Sequence, residues 1–267
     1  MRNFEPVFLP PTRNLFEQAG RLIRGYTMAV GDALLITAEA FRFGHRLPHR
    51  RAELMRQMYA CSIKSIFIAS VVALCMGMIL ARQSGVILQE YNQQDRVGSL
   101  VIVSLVRELG PVMTALILAA SIGSAYAAEV GTMNISEEVS ALKVMNINPV
   151  DYLITPRLYA LLFMCPALTM FSDLIGAFGG MLVAKTQLGV SPQAFYKNAI
   201  LDLELRDVYI GLLKSVVFAV IIITVSAYQG LTTTDGAVGV GRSTRRAVVI
   251  SFLFIMVIGF FVTSLFY

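Results

Sequence analysis

The fold is decided by residues 107–157, which read RELGPVMTALILAASIGSAYAAEVGTMNISEEVSALKVMNINPVDYLITPR. An apolar run rich in small residues is followed by a short amphipathic segment at 134–146, and then by a second apolar run. Asn148-Pro149 ends the amphipathic segment, because proline lacks the N–H that would continue a helix. Two membrane spans joined by a surface helix predict a membrane protein that a soluble partner moves.

The composition of the whole chain is that of a membrane protein. Of 267 residues, 56% are hydrophobic and only 15% are charged, which is rare for a soluble domain of this size. A membrane-spanning helix needs about 20 apolar residues. Five blocks reach that length, at 59–81, 97–128, 152–184, 208–228 and 247–266. The second and third are longer than needed, and Pro111 and Pro166 are their predicted kink points.

The N-terminal region predicts a different kind of helix. Apolar residues recur at helical spacing between Leu15 and Phe43, but the segment carries too many charges to cross a membrane. We expect it to lie in the membrane interface, with an ordinary amphipathic helix packed on protein as the alternative. We predict an all-α membrane protein with two parts. Residues 1–45 form an N-terminal segment and interfacial helix, and residues 46–267 form a five-helix transmembrane domain with a short surface helix, at about 134–146, between its second and third spans.

The distribution of lysine and arginine predicts the orientation. With five spans, residues 1–58, 129–151 and 229–246 share one side of the membrane, and they carry more than twice as many Lys and Arg as loops 82–96 and 185–207. The positive-inside rule then places the N-terminus and the 134–146 segment in the cytoplasm. The net charge of +5 comes without an aromatic-rich basic motif, so we expect no nucleic-acid binding.

Small residues in the second and third spans predict close helix packing. They recur every four positions, at Ala119, Gly123, Ala127 and Gly131, and again at Gly176 and Gly180. Such ridges let helices approach closely in lipid. The ridge of the second span has two interpretations, packing within one chain or the seam of a homodimer.

Four charged residues lie in or beside apolar blocks: Arg107, Glu108, Asp173 and Lys214. Charges in a membrane usually face a cavity or each other. Arg107 and Glu108 are adjacent, so on a helix their side chains point about 100° apart. Each therefore needs a different partner, and we predict Lys214 for Glu108. Snorkelling of these side chains to the interface is the alternative.

The 134–146 segment has the pattern of a capped amphipathic helix. Asn134 and Glu137 have the spacing of a capping box, and Glu137 and Glu138 suit the positive end of a helix. Its apolar stripe consists of Ile135, Val139, Leu142 and Met145. A helix of about 12 residues gains little stability from propensity alone. We therefore expect it to dock on lipid headgroups or in the groove of a partner.

The sequence offers no catalytic motif. Residues 236–243 read GAVGVGRS, a near match to the phosphate-binding GxxxxGK[ST] pattern. No strand pattern precedes them, so we interpret them as a glycine-rich loop that leads into a helix. Metalloprotease, serine-hydrolase and metal-cluster spacings are also missing from the sequence. We expect no cofactor or metal in this chain and no enzymatic activity.

Several motifs resemble the MlaE/YrbE permease family, the membrane subunits of ABC transporters that work with MCE proteins in lipid trafficking. The central motifs are RELGP at 107–111, SIGSAYAAEVGTM at 121–133, EEVSALKVMNINP at 137–149 and ITPR at 154–157. GLTTTDGAVGVGRSTRRAVV at 230–249 is similar to the family's last cytoplasmic loop and final helix entry. The resemblance covers about residues 50–260.

The resemblance implies an assembly in the bacterial inner membrane. It implies a homodimer, a cytoplasmic ABC ATPase that holds ATP and Mg²⁺ and docks on the 134–146 helix, and an MCE-domain protein on the periplasmic side. Membrane lipid would occupy an outward-open cavity at the dimer interface. The implied substrate-binding residues are Leu80, Leu88, Tyr91, Arg107, Glu108 and Lys214. The implied ATPase-coupling residues are Ile135, Glu137, Glu138, Val139, Leu142 and Met145.

Two positions depart from the family pattern. Ser121 stands where family members often carry Arg, and Gly259 stands where many carry Asp. Removing one partner of a buried ion pair strands the other. We therefore hypothesise that an intramembrane pair has been lost here as a unit.

Three functions are compatible with these sequence features. The leading one is the permease subunit of an ABC transporter that moves phospholipids between the inner membrane and an MCE protein. An ion-coupled secondary transporter would use Arg107, Glu108 and Asp173 as coupling sites. An intramembrane lipid-modifying enzyme would need a nucleophile or an acid–base pair within the spans.

Overall fold

The computed structural model describes residues 15–266, without the side chains at positions 15–23, 26, 48, 49 and 64. All regular structure in this range is helical. The α-helices are α1 (Leu15–Arg42), α2 (Arg51–Glu90), α3 (Val97–Ser104), α4 (Gly110–Leu118), α5 (Ser124–Ile135), α6 (Glu138–Val144), α7 (Thr155–Gln187), α8 (Pro192–Asp202), α9 (Leu205–Leu231) and α10 (Gly236–Phe266). The irregular segment predicted at 1–13 lies outside the described residues.

Five segments are long and apolar enough to cross a membrane, which confirms the predicted all-α membrane fold. They are Arg51–Glu90, Gln94–Ile135, Val150–Gln187, Leu205–Leu231 and Gly236–Phe266. Each contains one of the predicted apolar blocks and extends beyond it, because the helices continue into their charged flanks. Successive spans run in opposite directions. Helix α6 and the start of α10 therefore lie at one end of the bundle, and α8 lies at the other.

The second span is a continuous helix with two irregular turns. π-helical turns occupy Leu105–Leu109 and Ala119–Gly123. The first ends directly before Gly110-Pro111, where proline has no N–H to give to the helix ladder. π-helical turns are rare and frequently mark functional sites. By contrast, Pro166 lies inside the unbroken helix α7.

Glycines in the first and third spans allow their backbones to meet. A methyl group at Gly77 would collide with the carbonyl group of Gly176, and one at Gly179 would collide with the carbonyl of Leu74. A methyl group at Gly180 would lie 2.9 Å from Val101 in α3. The predicted small residues of the third span therefore pack against α2 and α3 of the same chain.

The ridge of the second span also packs within the chain. A Cβ at Gly123 would lie 3.0 Å from Ser226 Oγ, and one at Gly131 would lie 2.9 Å from Thr233 Oγ1. Ala119 and Ala127 are buried as well. These contacts support packing within one chain, because α9 and the residues that follow it cover the glycines of the ridge.

Helix α1 is held against the bundle by one face. Ile36 and Ala40 are buried, and the hydroxyls of Thr37 and Thr224 lie 2.6 Å apart. Val30 and Leu34, on another face, are exposed. The helix is thus docked on α9 and also presents apolar side chains outward. Its position in the membrane interface stays a prediction.

Two local predictions near the membrane surface are wrong. Helix α5 continues to Ile135, so Asn134 is not a helix cap, and its amide instead donates to the Thr233 carbonyl at 3.1 Å. Glu137, with a left-handed φ of 60°, precedes the short helix α6 without a side-chain cap. The predicted glycine-rich loop at 236–243 is also wrong, because these residues already form the first turns of α10.

Candidate functional site

The predicted partner of Glu108 is confirmed. Lys214 is wholly buried, and its Nζ lies 2.6 Å from Glu108 Oε1. The same ammonium donates to the Arg107 carbonyl and to Thr263 Oγ1, both at 2.8 Å. An ammonium has three donors, so Lys214 has no donor left for a ligand. Thr263 also donates to Glu108.

Arg107 has a different partner, as its position beside Glu108 requires. Its Nε lies 2.8 Å from Asp207 Oδ1, and its Nη2 donates to Oδ2 at 3.0 Å. Asp207 is wholly buried in the first turn of α9, where it also accepts a bond from the Glu204 N–H. Asp207 was not among the charged residues predicted to matter, although Glu204 and Asp207 have the spacing of a capping box.

These contacts join three spans through one set of side chains, which we call the charge cluster: Arg107, Glu108, Asp207, Lys214 and Thr263. The charge cluster connects the π-helical turn at Leu105–Leu109 to α9 and α10. Both cations are paired with a carboxylate, as expected for charges in a membrane. About a third of the Arg107 side chain and 40% of the Glu108 side chain remain exposed. Only these two members present charged surface to a ligand.

The other predicted substrate-binding residues lie along the end of α2. Leu80 and Leu88 are half-buried. Together with Leu109 they pack against the buried apolar cluster that contains Val101 and Leu105. Tyr91 follows the last residue of α2 and is largely exposed. The structure therefore places Leu80 and Leu88 next to the chain segment that carries Glu108, and places Tyr91 at the edge of the bundle.

The predicted coupling residues do not form one outward stripe, which corrects the prediction. Val139 is buried, and Leu142 packs against the buried apolar cluster that also contains Leu158 and Ile222. Met145 is 60% exposed, and Val144, which the prediction omitted, is 88% exposed. The helix begins at Glu138 rather than near Asn134, and this shift changes which residues face outward.

Three further residues of the predicted coupling set are accessible to a partner. Glu137 and Glu138 are exposed, and Ile135, at the end of α5, is partly exposed. Together with Val144 and Met145 they form what we call the α6 surface.

An ion pair between buried Arg157 and half-exposed Glu129 joins the two spans on either side of α6. Arg157, in the first turn of α7, donates to Glu129 of α5 at 2.5 Å, and only 6% of its side chain is exposed. Its guanidinium also lies 4.9 Å from the Tyr126 ring centre. The Tyr126 hydroxyl in turn donates to Gln57 of α2 at 3.1 Å. Helices α5 and α7, which flank α6, are therefore linked to each other by the ion pair and to α2 through Tyr126.

We expect Glu129→Gln to lower the free energy of unfolding by about 1–3 kcal/mol, the cost of leaving a buried polar group poorly paired. Asp235→Asn is the matched control, since it breaks the exposed Arg242–Asp235 pair. Exposed pairs contribute about 0–1 kcal/mol. Unfolding of the purified protein in mixed detergent micelles measures both values, and equal effects would contradict the assignment of Arg157 to a buried network.

Asp173 differs from the other intramembrane charges. No cation pairs with it in the described part of the chain, and its Oδ1 has no hydrogen-bond partner there. It faces Gly110, at which a methyl group would collide with that oxygen. The secondary-transporter hypothesis needs Arg107 and Glu108 as well, and both of these are engaged in ion pairs.

The hypothesis of a lost ion pair at Ser121 and Gly259 is not supported. The Ser121 hydroxyl lies 3.1 Å from Ser65 of α2. A Cβ at Gly259 would meet Phe218 at 3.2 Å and Val112 at 4.0 Å. Val112 lies nine residues before Ser121, or about 13 Å along the helix axis. The two positions face different helices at different depths.

Comparisons with known proteins agree with this architecture. The chain is 38% identical over 235 residues to a probable ABC transporter permease protein of Synechocystis, covering 87% of this chain and 89% of that protein. It is 30% identical over 253 residues to the intermembrane phospholipid transport system permease protein MlaE of Haemophilus influenzae, covering 94% and 97%. The chloroplastic protein TRIGALACTOSYLDIACYLGLYCEROL 1 of Arabidopsis thaliana is 34% identical over 213 residues, covering 80% of this chain and 61% of that protein.

A protein-family comparison covers most of the chain. Residues 54–265 match the family described as Permease MlaE. The match includes nearly all of the five spans, the charge cluster and the α6 surface. It begins after α1, which is the part that the resemblance in sequence did not specify. The chain therefore belongs to the MlaE permease family.

Proposed function

We propose that this chain is the permease subunit of an ABC transporter that moves phospholipids between the bacterial inner membrane and an MCE-domain protein on the periplasmic side. A separate cytoplasmic ATPase would bind ATP and Mg²⁺, and two copies of this chain would form the transmembrane part. The observation that carries the proposal is the α6 surface, because an exposed Val144 and Met145 beside the exposed carboxylates of Glu137 and Glu138 suit the groove of a soluble partner.

The contacts around that surface support a physical route from it into the membrane. A push on α6 acts on α5 and on the π-helical turn Val150–Ile154 that opens the third span. The Arg157–Glu129 pair makes both spans move together. The second span has two further π-helical turns, and the turn at Leu105–Leu109 carries the charge cluster. Movement of α6 would thus change how the second span meets α9 and α10.

The proposed cargo rests on the lipid-facing chemistry and on the relatives. The Haemophilus protein is named for phospholipid transport. Exposed parts of Arg107 and Glu108 lie in a bundle whose outer faces are apolar. This arrangement suits an amphipathic molecule, which offers a charged headgroup and acyl chains at once. The excess of Lys and Arg at the α6 end supports a cytoplasmic position for that end.

The homodimer and the MCE partner are proposed from family membership. The small-residue ridge is already covered by α9, so the dimer seam must use another face. Exposed apolar residues of α10 such as Phe260 and Phe261 would face lipid or the second copy.

Purification of the tagged chain from native membranes tests the proposal. We expect a nucleotide-binding subunit to co-purify in a fixed ratio, identified by its sequence and by hydrolysis of Mg-ATP. A chain that purifies alone and still moves lipid in response to an imposed ion gradient would favour the secondary transporter instead.

A further inference from the structure

A large cavity opens at the α6 end of the bundle, between α1 and the coupling region. Its volume is about 1060 Å³, which is at the upper end of the range for small-molecule sites. One wall is α1, and the facing wall is formed by α6 and by the Asn148–Val150 stretch before the third span. Leu231, the last residue of α9, also lines the cavity.

The cavity combines an apolar wall with cations that lack carboxylate partners. Its apolar lining includes Leu35, Val139 and Leu231. Arg42, at the end of α1, and Lys143, in the last turn of α6, also line it. Neither cation forms an ion pair with any described residue, and they stand on opposite walls. An unpaired Arg and Lys across a cavity favour an anion between them.

The other charged residues of the lining do not neutralise this pair. Arg46 is already bound to Asp151 at 3.2 Å. Glu39 keeps its negative charge, because the hydrogen bond that it accepts at 2.6 Å comes from the neutral amide of Asn148. Asp32 lies ten residues before Arg42 on α1, which is about 15 Å along the helix. Asp151 is shared by Arg46 and Arg50. Four cations, Arg42, Arg46, Arg50 and Lys143, therefore stand against the two carboxylates of Glu39 and Asp151, and this end of the cavity is basic.

We propose that this cavity binds one glycerophospholipid from the adjacent leaflet, with its phosphate between Arg42 and Lys143 and an acyl chain along Leu35, Val139 and Leu231. A membrane source is favoured over a protein because α1 also presents Val30 and Leu34 outward as apolar surface. The bound lipid would bridge α1 and α6. The site lies at the opposite end of the bundle from Leu80, Leu88 and Tyr91, so it goes beyond the proposed transport pocket.

Photolabelling of the purified full chain tests this site without ATP or an ATPase. Two probes carry the same photoreactive acyl chain, and one is a phosphatidylglycerol while the other is a diacylglycerol without phosphate. We expect the first to label peptides that contain Leu35 and Val139 at least about tenfold more strongly. One hydrogen bond to a charged group contributes about 1.5–3 kcal/mol, and about 1.4 kcal/mol is tenfold in affinity.

Variants separate recognition of the phosphate from general charge effects. Arg42→Gln with Lys143→Gln should reduce labelling by phosphatidylglycerol about tenfold or more. Arg82→Gln with Lys185→Gln is the matched control, because it removes one exposed Arg and one exposed Lys at the opposite end. Ala38→Trp fills the cavity without a change in charge, and it should also reduce labelling.

Three results would overturn the proposal. They are equal labelling by the two probes, unchanged labelling in the Arg42/Lys143 variant, and cross-links from the cavity to a co-purified protein in place of lipid. Failure of lipid transport alone would count against the proposed function and not against this site, since labelling requires no transport.

Discussion

Glu108→Leu is expected to lower the free energy of unfolding by about 3–5 kcal/mol, the usual cost of breaking a buried ion pair from one side. The reason is the complete burial of Lys214, whose ammonium would lose its carboxylate inside an apolar bundle. Thr263 would lose its acceptor on Glu108 as well. Unfolding in mixed micelles measures the loss, and it should appear without a change in membrane insertion.

The double variant Glu108→Leu with Lys214→Met is the control for this effect. Replacing both members of a buried pair by apolar residues is often neutral or stabilising. We therefore expect the double variant to be more stable than Glu108→Leu alone. Purely additive losses would mean that the two side chains do not depend on each other.

Val144→Asp with Met145→Asp is expected to weaken ATPase association by roughly a thousandfold, so that the ATPase no longer co-purifies. Interface anchors typically contribute about 2 kcal/mol or more each, and about 4 kcal/mol corresponds to that factor. Both side chains are exposed, so the change should leave the fold intact. Leu142 is a poorer choice because it packs against the core.

The control for this variant is Ile200→Asp with Leu201→Asp. These residues form another adjacent pair of exposed apolar side chains, on α8 at the opposite end of the bundle. ATPase co-purification should persist in the control variant. If both double variants lose the ATPase, or if neither does, the α6 surface is not the docking site.

The spans and one ion pair were predictable from sequence for simple reasons. A block of about 20 apolar residues has few alternatives to a membrane helix. The Glu108–Lys214 pair followed from helix geometry, because Arg107 and Glu108 point in different directions and Lys214 was available. Arg107 also needed a partner of opposite charge. That partner, Asp207, was missed because residues 185–207 were predicted to form a loop, whereas Asp207 lies in the first turn of α9.

The contact of Asn134, the packing of the ridge and the cavity all depend on distant parts of the chain. Asn134 matched a local capping pattern, but its amide bonds to Thr233, and no local pattern contains that contact. The ridge at Gly123 and Gly131 has the same spacing whether it packs within a chain or between chains. The cavity at Arg42 and Lys143 combines residues about 100 positions apart, so no local sequence pattern predicts it.

Phospholipid transfer by a reconstituted complex tests the central claim most directly. Proteoliposomes would contain this chain and its ATPase, with the MCE-domain protein outside and a labelled phospholipid inside the bilayer. We predict transfer that requires hydrolysable ATP, stops with Val144→Asp and Met145→Asp, and does not respond to an ion gradient. Transfer that continues without the ATPase, or that an ion gradient alone drives, would contradict the assignment of this chain as an ABC lipid permease.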